Sequence, residues 1–125
     1  MLLVDEIVQE DGYDVATYRV RGDEFFLQGH FPGNPVVPGV ILCEIMGQGA
    51  AHLMFEVLDG KSWPMFAGMD KVRFKRSVVP GDLIVTKSHI DEIRGNLYFI
   101  DVRSTVDGKL CCSAKLTVAL VPKED

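Results

Sequence analysis

The chain has 125 residues, the size of one domain, and with 47% hydrophobic and 25% charged residues it can bury a core of its own. Its formal net charge of −5 excludes nucleic-acid binding by bulk electrostatics. No apolar run reaches the ~18 residues of a membrane span, and Met1-Leu2-Leu3-Val4 meets Asp5 and Glu6 without the basic and apolar regions of a secretory signal. Cys43, Cys111 and Cys112 form no disulfide framework and lack metal-ligand spacing. The expectation is a single cytoplasmic domain, residues 1–125, without nucleic-acid or membrane contacts.

Leu2 to Val8 and Tyr13 to Arg21 read as two strands around an Asp11-Gly12 turn. Glu24 to Gln28 reads as a short helical turn. Gly29 to Gly39 holds Pro32, Pro35 and Pro38 with Gly29, Gly33 and Gly39, a density that forbids regular structure and predicts a rigid, shaped loop. From Val40 to about Leu58 proline and alternation vanish, and Asp59-Gly60 fits a glycine C-cap. This helix is apolar nearly all round, with Gly47, Gly49, Ala50 and Ala51 at its middle, and is expected to be buried. Met65 to Val79, Leu83 to Ile93, Leu97 to Val106 and Lys109 to Val121 follow as strands, joined by Pro80-Gly81-Asp82, Arg94-Gly95-Asn96 and Asp107-Gly108. They predict a four-stranded antiparallel meander. One apolar helix plus a long antiparallel sheet wrapped around it is an α+β, hot-dog architecture. An edge strand left open in so small a chain predicts a homodimer joined edge to edge.

The candidate chemistry lies between His30 and Glu44. Glu44 sits between Cys43 and Ile45 in the apolar helix. Buried, its carboxyl would be pushed toward the protonated form and could act as a general acid; facing solvent or a cation, it would be an ordinary surface group. Gln48 is one turn on and can hydrogen-bond it, and His52 is a turn further, so the three form a polar stripe. They are too few and too far apart for a metal shell. His30 lies in a backbone stiffened by Phe31, Pro32 and Gly33, and a neutral imidazole is a natural general base. Gly39 opens the helix, where free N–H groups and the macrodipole can hold an oxyanion. Base, acid and oxyanion donor together suit proton abstraction and loss of water. Cys43 is expected to point away from Glu44 and to serve no nucleophilic role.

Gly29-His30-Phe31-Pro32, Pro38-Gly39-Val40, Glu44 with Gln48, Phe66-Ala67-Gly68-Met69-Asp70-Lys71-Val72-Arg73-Phe74 and Pro80-Gly81-Asp82 resemble the β-hydroxyacyl-acyl-carrier-protein dehydratases of bacterial type II fatty acid synthesis, the FabZ type. The resemblance runs from Leu2 to Val121. It implies a cofactor-free hydro-lyase acting on (3R)-hydroxyacyl groups carried by an acyl carrier protein. In it His30 takes the C2 proton, Glu44 from a partner subunit protonates the leaving hydroxyl, and the Gly39 N–H holds the thioester oxygen. Gln48 steadies the acid and Phe31 belongs to the substrate site. Relatives that also isomerise the double bond carry Asp at this place, so Glu44 favours plain dehydration. Family members usually carry a helical segment before the Leu-Leu-Val-Asp strand, so the start of this chain departs from the pattern in a way that bears on dimer or trimer-of-dimers order and on the tunnel mouth.

Met54, Phe55, Met65, Phe66 and Met69 are candidates for an acyl tunnel wall or for ordinary core. Lys71, Arg73, Lys75 and Arg76 put four cations in six residues of an acidic chain, with the first three expected on one strand face. They suit either a solvated face or a docking patch for the acidic carrier protein. The rival enzyme class is a hot-dog acyl-thioesterase, which activates water instead of removing it.

Overall fold

The computed structural model describes residues 1–27, 35–55, 57, 58 and 60–123. Its strands are β1 (Glu6–Glu10), β2 (Tyr13–Arg19), β3 (Ser62–Phe74), β4 (Leu83–Arg94), β5 (Leu97–Val106) and β6 (Lys109–Pro122). A 3-10 turn, Phe25–Leu27, and one helix, α1 (Gly39–Phe55), stand between β2 and β3. All six strands form one antiparallel sheet in the order β1-β2-β4-β5-β6-β3. Asp11-Gly12 and Asp107-Gly108 carry positive φ at both positions, the type I′ geometry whose twist matches paired strands.

The predicted meander holds only for β4, β5 and β6. β3 pairs with β6 at the far edge and does not neighbour β4. Pro80-Gly81-Asp82 is therefore no hairpin but the end of a crossover. The Val79 N–H donates to the Asp82 carboxylate at 3.0 Å, and the Asp82 N–H returns to the Val79 carbonyl at 3.1 Å. Val20 and Gly81 then tie this turn to the end of β2, with the Gly81 N–H on the Val20 carbonyl at 2.7 Å.

The first strand begins later than Leu2, because Leu3 leaves the sheet edge and is buried in the core. β3 likewise starts at Ser62 and ends at Phe74, earlier than expected at both ends.

Helix α1 buries Leu42, Ile45, Met46, Gly49, Ala50, Leu53 and Met54. That spacing of three and four is one continuous face. It lies chiefly over β4 and β2. The approach is closest at Gly49, where an added Cβ would sit 3.1 Å from Thr86 Cγ2 and 3.3 Å from Ala16 Cβ. Beneath the helix the sheet contributes Tyr18, Ile84, Ile100, Val102, Cys112, Ala114 and Leu116 to the core. The two hydroxyls of Thr86 and Ser104 satisfy each other there at 2.7 Å.

The helix is not buried all round. Val40, Glu44 and Phe55 are exposed, and Cys43 and Gly47 half-buried. The sheet covers one side of α1, so its second apolar flank fronts open space beside β3. No helix among the described residues is long and apolar enough to cross a membrane.

Candidate active site

Glu44, on the second turn of α1, lines a cleft of about 380 Å³ between the helix and β3. Val40, Cys43 and Gly47 share the helical wall, and Phe66, Met69 and Leu116 face them. Both Cys43 and Glu44 open onto this cleft, which corrects the expectation that they diverge. Neighbouring helical residues are ~100° apart, and a wide cleft receives both. Burial pushes the Cys43 thiol above its ordinary range, which depletes the thiolate and leaves it a wall group.

The predicted contact between Glu44 and Gln48 is present: Gln48 Nε2 donates to Glu44 Oε1 at 3.0 Å. The same amide reaches the start of the chain, donating to the Met1 carbonyl at 2.8 Å and accepting from the Leu3 N–H at 2.6 Å. His52 leaves the stripe. Its Nδ1 lies 2.7 Å from Asp14 Oδ2 on β2, so it joins helix to sheet and takes no part in the cleft.

Gly39 is the first residue of α1. The Pro38 carbonyl accepts from Ile41 and Leu42 at 3.0 and 3.1 Å, which leaves the Gly39 and Val40 N–H groups without intrahelical acceptors. An added Cβ at Gly39 would meet Phe74 Cζ at 3.2 Å. The glycine thus also makes room for the Phe74 ring, a neighbour the sequence reading missed.

Gly29, His30 and Phe31, with the rest of 28–34, lie outside the described residues. The flanks of that segment are well tied. Glu24 accepts from the Arg21 N–H at 2.9 Å, the Gly22 N–H at 2.7 Å and the Tyr18 hydroxyl at 2.5 Å. Burial alone would raise the Glu24 carboxyl, but these donors hold it below its usual range. Burial, and then the Glu24 bond, push the Tyr18 phenol to about 12. Phe26 and Leu27 are buried beyond the clamp. On the other flank, buried Val37 donates to the Val78 carbonyl at 2.8 Å.

Lys71, Arg73, Lys75 and Arg76 are all exposed. The shared strand face does not survive. Between Asp70 and Arg73 the pairing with β6 shifts register, Lys71 has φ 51, and Lys75 lies past the strand end. Such a bulge sets an extra residue against the partner strand and breaks alternation. Lys75 and Arg76 instead border a cleft of about 410 Å³ that also meets Gly39 and Phe74. A larger cleft, about 630 Å³, lies on the opposite face of the sheet around Tyr13, Lys87, His89 and Arg103, away from Glu44.

A helix held by one long antiparallel sheet is the hot-dog fold, and solved structures agree. A putative thioesterase, a phenylacetic acid degradation-related protein from Ralstonia eutropha, superposes with a TM-score of 0.76 at 21% identity, over 93% of this chain and 83% of that one. The dehydratase heterocomplex ApeI:P from Xenorhabdus doucetiae superposes at 0.70 with 19% identity, over 94% and 96%. At those identities the likeness is one of fold alone. Sequence carries the narrower assignment: residues 1–115 match the FabA-like domain, and the chain belongs to that family. Over 122 residues it is 42% identical to the 3-hydroxyacyl-[acyl-carrier-protein] dehydratase FabZ of Clostridium perfringens, covering 95% of this chain and 87% of the relative. To the FabZ of Staphylococcus aureus it is 43% identical, covering 95% and 84%.

Proposed function

We propose that this chain is a (3R)-hydroxyacyl-[acyl-carrier-protein] dehydratase, a cytoplasmic hydro-lyase that forms trans-2-enoyl thioesters in fatty acid elongation, with residues 1–125 acting as one domain. The observation that carries this reading is the 42–43% identity to FabZ dehydratases over 95% of the chain. The cleft beside Glu44 supports it, because an elimination needs an acid that opens onto an apolar space able to take an acyl chain.

In this reading His30 removes the C2 proton and Glu44 delivers a proton to the C3 hydroxyl, which leaves as water while the C2–C3 double bond forms. The Gly39 N–H receives the charge that develops on the thioester oxygen. His30 then holds the proton that Glu44 has lost, and exchange between them through solvent restores both. Phe31 lies beside the base in the substrate site. No metal or cofactor enters the reaction.

The acid serves a site completed by a second copy. β3 is an edge strand, and Trp63, Met65, Phe66 and Phe74 on it are exposed, as is Val40 on the adjoining helix. An apolar open edge of this kind suits pairing with its own copy, giving a homodimer that can stack as a trimer of dimers. Lys71, Arg73, Lys75 and Arg76 suit an acidic carrier protein. The last two border the cleft at Gly39, where a phosphopantetheine phosphate would find cations beside free amide donors.

The test is enoyl-thioester absorbance on mixing the protein with a 3-hydroxyacyl-carrier protein. Wild type is expected to generate the signal, and His30→Ala and Glu44→Gln to lower kcat by ~10²-fold or more. Release of free thiol in place of the enoyl product would assign the chain to the thioesterases.

A further inference from the structure

Gln48 joins the first residues of the chain to Glu44. Its Oε1 accepts from the Leu3 N–H, and its Nε2 donates both to the Met1 carbonyl and to Glu44 Oε1. A backbone N–H can only donate and a backbone carbonyl can only accept. The two main-chain groups therefore dictate which end of the amide is which. Turned over, the amide would set its NH₂ against the Leu3 N–H and its oxygen against the Met1 carbonyl, and both buried pairings would fail. The NH₂ must then face Glu44. A proton placed on Glu44 Oε1 would point at that NH₂, so the proton of the neutral acid is confined to Oε2. Among the described residues Oε2 has no hydrogen-bond partner.

We infer that the backbone of residues 1–3 is a positioning element for the acid: acting through Gln48, it assigns the transferable proton to Glu44 Oε2, the unengaged oxygen. This rests on Glu44 being the acid of the proposed dehydration. Gln48 and the chain start touch no reacting atom. They act on catalysis by keeping the donor oxygen free and the other occupied, so that no turnover is lost to a carboxyl protonated on the wrong side.

The decisive change removes one hydrogen and no side chain: Leu3 replaced by its α-hydroxy analogue, which turns the amide into an ester. Two readouts are taken on the full chain. The side-chain NH₂ resonances of Gln48 report the lock with no substrate present, and steady-state kinetics with 3-hydroxyacyl-carrier protein report its effect. The ester is expected to speed hydrogen exchange of the Gln48 NH₂ and to lower kcat about tenfold with little change in KM, the pattern of an interaction that matters only in the transition state. Unchanged NH₂ exchange and kcat would overturn the inference, as would equal losses in kcat and KM tracking a fall in melting temperature.

Gln48→Glu and Gln48→Leu give a second arm should the ester not fold. The introduced carboxyl offers Glu44 a donor only when protonated, so activity of Gln48→Glu relative to wild type should climb as pH falls, while that of Gln48→Leu stays level. A level ratio in both also overturns the inference. Wild type that shows a locked NH₂ but no dehydration would sink the proposed function and leave the lock standing.

Discussion

His52 and Asp14 are paired at 2.7 Å across the helix–sheet junction, one in the last turn of α1 and the other at the start of β2. The Asp14 side chain is 1% exposed, and its second oxygen has no hydrogen-bond partner among the described residues. His52 is thus the one group that compensates a buried carboxylate. His52→Ala should cost about 2 kcal/mol, less than a fully buried pair because the imidazole is 38% exposed. Chemical denaturation measures it. Turnover per folded molecule should hold, since the pair lies outside the cleft, and Asp14→Val added to His52→Ala should restore much of the loss. A single variant as stable as wild type would show that Asp14 needs no partner.

The acid limb of stability should run through Asp101. Burial tends to raise its carboxyl, but Lys115 at 2.7 Å, with Arg103 and His89 nearby, holds it below its ordinary value of 3.8. A group depressed in the folded state stabilises above its unfolded value and loses that contribution as pH falls through the folded one. Asp101→Asn should therefore weaken the dependence of melting temperature on pH below about pH 4. Lys115 is raised by the same bond, so its share is present below the unfolded lysine value and fades as pH climbs through the folded one. Parallel wild-type and Asp101→Asn curves at both ends would contradict this.

Thiol titration should count a reluctant set. Burial raises Cys43 and Cys111, and pushes Cys112 to about 11. At pH 8 the folded protein should react with Ellman's reagent at Cys43 alone, and slowly, because it is the half-buried member and lines the cleft. Denaturation should release all three. An acyl-chain ligand should slow Cys43 further.

Gly49 and Gly39 answer the same substitution differently. A methyl at Gly49 would press on Thr86 and Ala16, which lie in the sheet beneath the helix, and Gly49→Ala should cost about 1–3 kcal/mol. At Gly39 it would press on the tip of Phe74, whose ring is 52% exposed and free to swing. Gly39→Ala should stay within about 0.5 kcal/mol of wild type while losing turnover. Thermal melts beside kinetics separate the two.

Local chemistry was legible in the sequence wherever it was written in side chains close together. The Asp-Gly turns, the 3-10 turn and the Glu44–Gln48 pair all follow from spacing. Strand order does not, since alternation is the same whichever edge a strand joins, and so β3 was set beside β4. The bulge at Lys71 needs a non-glycine residue in the left-handed region, for which composition has no sign. The Met1 and Leu3 partners of Gln48 are main-chain atoms 47 and 45 residues away, and every residue carries such atoms. His52 was readable as polar in an apolar helix, but its partner Asp14 was not.

The order of the strands leaves a sheet with unequal margins. One is β3, thirteen residues long and apolar along its open side; the other is β1, five residues reading Glu-Ile-Val-Gln-Glu with both glutamates exposed. Two β1 strands meeting antiparallel about Val8 would set Glu6 against Glu10 twice, like charge on like charge. Copies that join through β3 consume the sticky margin and present only the repellent one. The chain therefore carries its own stop against endless strand addition, and polymerisation into fibres is closed off by the same short acidic strand that begins the sheet.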